Sequence, residues 1–231
     1  KTQEALDKME EDARSMDSSD SATAQTMRNA SRTGRQQGVP ARQRQASQNA
    51  RQNQQTQAQA NQKAAEIGLE MVLGQRREAE RRKLEALARK LAEMQELVGN
   101  LVRRQAGHNL DNLTLQGGTV LADLDSSVRD RLFELSERSQ ENPPAPPGLP
   151  QLSNAQEQTE RNTRDIARQA EEMEDGAQAS AHLVRAAGKM ERAIVHLRNQ
   201  ELPQAYEPPM VDALAALVDA LDRINQQKAQ V

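Results

Sequence analysis

Cysteine, tryptophan and long apolar runs are absent from this 231-residue chain, and phenylalanine and tyrosine occur once each. Without cysteine, disulfide bonds and thiolate chemistry are excluded. No apolar run approaches the ~20 residues that cross a bilayer, so we expect no transmembrane segment in this chain. Aromatic side chains supply much of the buried area of a thick core. Their scarcity therefore predicts narrow apolar faces between helices.

What the chain does contain favours helix. Alanine, glutamine, glutamate, arginine and leucine are abundant, and all of them are good helix formers. The mean hydropathy of -0.91 leaves little material for a wide interior, and the whole composition is typical of long helices and coiled coils. We predict an all-α protein built of elongated helical hairpins or coiled coil, with a small C-terminal helical bundle.

The N-terminal part changes character near residue 34. Residues 1–33 carry apolar side chains at steps of three and four from Leu6 to Met16, which predicts an amphipathic helix. Residues 34–63 are basic, rich in glutamine and of low complexity. Because they lack a hydrophobic face, we predict that they are marginally helical or disordered.

The rest of the chain divides at a cluster of prolines. Residues 64–142 predict a coiled-coil helical hairpin, with Gly117-Gly118 as its turn. Residues 143–150 predict a Pro-rich linker, because prolines cannot continue a helix and favour polyproline II. Residues 151–231 predict a C-terminal bundle of three helices.

Apolar residues at alternating steps of three and four form a seam, which is clearest between Leu84 and Leu101. This average of 3.5 residues keeps one stripe facing a partner helix. Similar stripes recur in the C-terminal bundle. The predicted helix-pairing residues are Leu84, Leu87, Leu91, Met94, Val98, Leu101, Leu183, Met190, Ile194, Leu197, Leu214, Leu217 and Leu221.

Polar residues follow where the first seam continues. The same register places Gln105 and His108 at seam positions, and Asn109 and Asn112 lie beside them. Buried amides at such positions cost stability but can fix the register and number of partner helices.

No pattern for catalysis, cofactor binding or metal binding is present. His182 and His196 could share one helix, but the helical rise separates them by about 21 Å, too far to ligate one metal. Zinc, calcium and nucleophile-elbow motifs are lacking. We therefore expect a protein that is not an enzyme and that has no cofactor and no metal.

The basic segment allows two interpretations. Between Ser21 and Ala65 there is no acidic residue, so seven positive charges are uncompensated within it. They could bind nucleic acid or another anionic polymer or surface without specificity, or they could solvate a helix and dock on the acidic neighbouring segments. The candidate anion contacts are Arg28, Arg32, Arg35, Arg42, Arg44, Arg51 and Lys63.

Three stretches carry a family resemblance. Residues Ala155 to Asp175, His182 to Leu221 and Leu84 to Leu113 resemble uncharacterised bacterial envelope-associated coiled-coil proteins of planctomycete type. The resemblance covers about half the chain and implies an architecture and an envelope or periplasmic setting, with no activity to carry over. The start at Lys1 is what a processed mature chain or a fragment would show.

Together these features predict a structural or scaffold protein that acts through helix–helix association. Its expected partners are copies of itself or other helical proteins. The alternative is a non-specific binder of nucleic acid or an anionic surface through residues 28–63.

Overall fold

The structure is a computed structural model that describes residues 2–16, 21–141, 145–173 and 175–230. Throughout these ranges the regular structure is helical and there is no strand, which confirms the all-α prediction. The helices are α1 (Thr2–Met16), α2 (Ser21–Gln36), α3 (Val39–Arg51), α4 (Gln55–Gln116), α5 (Gly118–Asp123), α6 (Ser126–Ser136), α7 (Leu149–Glu171), α8 (Ala177–Arg198), α9 (Leu202–Ala205) and α10 (Val211–Lys228), with a π-helical turn at Tyr206–Met210.

The chain folds as two compact units, residues 1–87 and residues 88–231. In the first unit, α1, α2, α3 and the beginning of α4 pack through small side chains, and Leu6 is the largest apolar residue in the core. Alanine and glycine let the helix backbones approach closely, so little apolar volume is needed. The buried residues of this unit are Leu6, Ala13, Ala24, Ala30, Ser31, Gly34, Val39, Ala65, Gly68 and Val72.

Residues 34–63 are helical over most of their length, unlike the marginal helix or disorder predicted for them. Gly38, with φ of +61°, turns the chain between α2 and α3. Val39 is fully buried against Gly68, where an ideal Cβ would lie 2.5 Å from Val39 Cγ2. A single apolar side chain in a glycine notch thus anchors the Gln-rich segment, and periodicity does not reveal such an anchor.

We expect Gly68→Ala to destabilise the protein and Gly74→Ala to stabilise it. The two glycines lie on the same helix, but nothing lies within 4 Å of a Cβ added at Gly74. Alanine there gains about 1 kcal/mol of helix propensity, whereas at Gly68 the clash with Val39 costs about 1–3 kcal/mol. Thermal unfolding followed by circular dichroism measures both effects, and equal shifts in the two variants would contradict the notch.

In the second unit, four long helices form a bundle in which neighbouring helices run antiparallel. Thr163 on α7 contacts Met190 on α8 at 3.7 Å, and Lys189 on α8 contacts Asp212 on α10 at 2.5 Å. Lys228 of α10 returns to Gln95 of α4 at 2.7 Å. The predicted C-terminal helices therefore form a bundle in which residues 88–116 of α4 are the fourth helix.

The core of this bundle combines leucine, methionine and alanine. One cluster joins the start of α7 to the end of α8 and to the π-helical turn, through Leu152, Ala193, Leu197, Ala205 and Met210. On α8, Ala186 and Ala187 are fully buried, so that its neighbours approach closely on that side.

The predicted hairpin turn is present, but the helix after it is divided. Gly117, with φ of +133°, separates α4 from α5. Leu124 is extended, and the Asp125 side chain accepts a hydrogen bond from the Ser127 amide to start α6. The expected continuous helix from Val120 to Leu135 is therefore two helices. A capping aspartate explains this division.

The predicted Pro-rich linker is partly described. Residues 145–148 are not helical, and Pro150 lies in the first turn of α7, where proline is tolerated. Residues 143 and 144 of this linker lie outside the described residues.

Candidate functional site

The middle of α4 exposes nearly all of its side chains. Between Leu73 and Glu85 every side chain is exposed except that of Ala79, which is partly buried. Leu73 is 49% exposed and Leu84 is 46% exposed. Both are large aliphatic side chains on a stretch of helix that is otherwise mainly charged.

Four exposed residues share one face of this segment, and we call them the α4 ribbon: Leu73, Arg77, Glu80 and Leu84. Their steps of four, three and four continue the heptad register of the predicted seam. Arg77 and Glu80 form no ion pair with any described residue. Their neighbours do form pairs, Arg82 with Glu78 and Arg81 with Glu85. The ribbon is therefore a face whose apolar and charged side chains both lack partners within the described chain.

The predicted seam residues fall into two groups. Leu84 is exposed and Leu87 partly buried, whereas the next four seam residues of α4 are buried inside the second unit. In the C-terminal helices only Leu221 is partly exposed. The buried ones are Leu91, Met94, Val98, Leu101, Leu183, Met190, Ile194, Leu197, Leu214 and Leu217.

The candidate anion contacts are spread over three helices. Arg35 of α2 is already neutralised by α1, because it contacts Asp7 at 2.8 Å and Glu10 at 2.7 Å. Arg28 and Arg42 are partly buried. The others are exposed: Arg32, Arg44, Arg51 and Lys63. The acidic first helix therefore takes up part of the positive charge, as the second interpretation of this segment expects.

A layer of amides crosses the second unit. Gln156 of α7 donates to Gln105 of α4 at 2.7 Å, and Gln105 donates to Asn109 at 2.9 Å. Asn109 then reaches the Met210 carbonyl at 3.4 Å. All three amide side chains are buried. Only one alignment of α7 along α4 makes these bonds, so the layer specifies helix register.

His108 lies one turn from this layer and is kept neutral. Its Nε2 lies 3.0 Å from the Thr159 hydroxyl. The pKa of His108 is lowered to about 4, chiefly by burial; the carboxylate of Asp111 opposes this shift, and the positive charges of Arg138 and Arg104 contribute to it. Asp111 is itself held by Arg138 through two hydrogen bonds of 2.5 and 3.1 Å. At neutral pH the imidazole is therefore an uncharged packing group.

We expect acid to destabilise the second unit through His108. In the unfolded chain this histidine binds a proton near pH 6.5, so its contribution is complete above that pH and is lost as the pH falls toward 4. Between pH 7.5 and 5.0 the loss is about 2 kcal/mol. Denaturant unfolding at both values measures it.

The matched variant is His108→Gln, which keeps a hydrogen-bond donor for Thr159 but cannot be protonated. Its free energy of unfolding should fall less than that of the wild type between the two pH values. The difference between the two proteins gives the contribution of His108 separately from that of the carboxylates. An equal fall in both proteins would contradict the assignment.

A cleft of about 340 Å³ opens in the second unit between α6 and the start of α10. Val128 and Val211 are exposed at its edges, and Arg131 at the rim pairs with Glu134 at 2.7 Å. The lining is mainly apolar and offers no pair of titratable groups for acid–base chemistry. It consists of Asn109, Ser127, Val128, Arg131, Leu132, Leu135, Tyr206, Val211 and Leu214.

The remaining histidines lie apart on α8. His182 is 3.7 Å from Asp219, and His196 is 2.7 Å from Glu201. Among the described residues, no three histidine or acidic side chains converge as metal ligands. No described helix combines the length and the apolarity needed to cross a membrane.

Comparison with known proteins adds no relative. No family model, no curated protein and no solved structure matches the chain. The resemblance to envelope-associated coiled-coil proteins therefore stays a prediction. The candidate site with the most distinctive geometry is the α4 ribbon, a helical face with two exposed leucines and two unpaired charges.

Proposed function

We propose that this protein is a non-enzymatic scaffold that acts by helix–helix association through the α4 ribbon. The observation that carries the proposal is the exposure of Leu73 and Leu84 at heptad spacing on a helix that no described residue covers there. Burying such side chains against another helix contributes about 25 cal/mol per Å² of apolar surface.

The second unit packs its own seam residues internally, which leaves fewer surfaces that could bind a partner. Its seam residues, from Leu91 to Leu101, pack against helices of the same chain, so they are not free for a partner. No described residue covers the ribbon in this way. Association through it would be weak, because two leucines per chain give far less than the ~1,200 Å² buried in stable interfaces. A dissociation constant above about 10 µM is expected.

Binding to nucleic acid has less support. Arg35 is paired with acidic residues of α1, which reduces the free positive charge of the basic segment. The segment also has no aromatic side chain on which bases could stack. Nucleic-acid binding would become better supported than helix–helix association if the chain bound single-stranded nucleic acid and this binding weakened steeply with salt.

We expect Leu73→Ser/Leu84→Ser to abolish association. Sedimentation velocity of the wild type, from 5 µM to several hundred µM, should show a sedimentation coefficient that rises with concentration. The double variant should sediment as a monomer throughout, with association weakened by about tenfold or more because two apolar contacts per chain are lost.

The matched control is Val184→Ser/Val195→Ser. These two valines are each 53% exposed on α8, so their replacement removes exposed aliphatic surface without changing any ribbon residue. The control should associate like the wild type, and circular dichroism should show equal helicity in all three proteins. A wild type that stays monomeric at every concentration would contradict the proposal.

A further inference from the structure

We infer that the partner of the α4 ribbon is the same ribbon of a second copy, paired antiparallel. This inference rests on the proposed function and adds the occupant, the direction and the register. The inference is based on the order of side chains along the face, which is aliphatic, basic, acidic and aliphatic from Leu73 to Leu84. All four side chains are exposed.

The antiparallel register follows from the heptad positions. Arg77 and Leu84 occupy a positions, while Leu73 and Glu80 occupy d positions, and antiparallel helices place a opposite d. One alignment sets Leu73 against Leu84 of the second copy and Arg77 against Glu80 of the second copy. Two-fold symmetry repeats each contact, so four layers form: two of leucine pairs outside and two of ion pairs between them.

Parallel pairing would bring like charges together. It would place a opposite a and d opposite d, so that Arg77 met Arg77 and Glu80 met Glu80 at the centre of the interface. Like charges at facing positions repel, and the outer leucine layers would have to offset two such layers. The charge order along the ribbon therefore selects the antiparallel direction.

The layers beyond the ribbon do not extend the pairing. In the same register Leu87 would face Glu70, so the apolar contact ends there. The interface is consequently short, which agrees with an association that needs high protein concentration.

Crosslinking tests the direction, since the chain has no cysteine of its own. Leu73→Cys and Leu84→Cys variants, one carrying a size tag, are mixed and treated with a bis-maleimide that spans about 8 Å. In the antiparallel register the two different thiols face each other. Two Leu84→Cys chains instead hold their thiols about 16 Å apart along the axis.

We expect the mixed crosslink to exceed by about fivefold the crosslink within either variant alone. Equal or greater crosslinking of Leu84→Cys with itself would overturn the antiparallel register. If sedimentation still showed association that depends on Leu73 and Leu84, the proposed function would stand while this inference failed.

Charge exchange tests the register without introducing cysteine. Arg77→Glu and Glu80→Arg should each weaken self-association by about fivefold, because every central layer then pairs like charges. Arg77→Glu/Glu80→Arg restores opposite charges in the antiparallel dimer and should return association to within about twofold of the wild type. A double variant as weak as the single variants would overturn the pairing of Arg77 with Glu80.

Discussion

Alanine and glycine at the helix crossings are the feature on which both units depend. Val39 fits into the space left by Gly68, and α8 presents buried Ala186 and Ala187 to its neighbours. Close backbone approach lets dispersion contacts form between helices although large apolar side chains are few. The exposed leucines of the α4 ribbon are among the large apolar side chains that this packing leaves at the surface.

The fold class and most helices could be predicted from the sequence, because helix propensity and apolar spacing are local properties. The break at Gly117 was also predictable, since a Gly-Gly pair interrupts an otherwise periodic pattern. Burial of Gln105, Asn109 and Asn112 followed from continuing the seam register into polar residues. These predictions needed no knowledge of what lies opposite each helix.

The partner of each apolar face could not be predicted in the same way. Spacing identifies that Leu91 and Val98 face a helix, but it does not tell whether that helix belongs to the same chain. The structure places them in an internal bundle, and the ribbon remains as the uncovered continuation of the register. Likewise, nothing periodic marks Gly68 as the notch that anchors α3. The unpaired state of Arg77 and Glu80 depends on side-chain geometry, which sequence spacing does not give.

The amide layer of the second unit has a consequence for how this chain can vary. Since Gln156, Gln105 and Asn109 set the alignment of α7 on α4 by their own hydrogen bonds, the connection at residues 139–148 does not have to set that alignment. Insertions or deletions there would change loop-closure entropy only slowly with length. That connection is accordingly the place where the sequence is freest to drift or to accept an inserted peptide without disturbing the bundle.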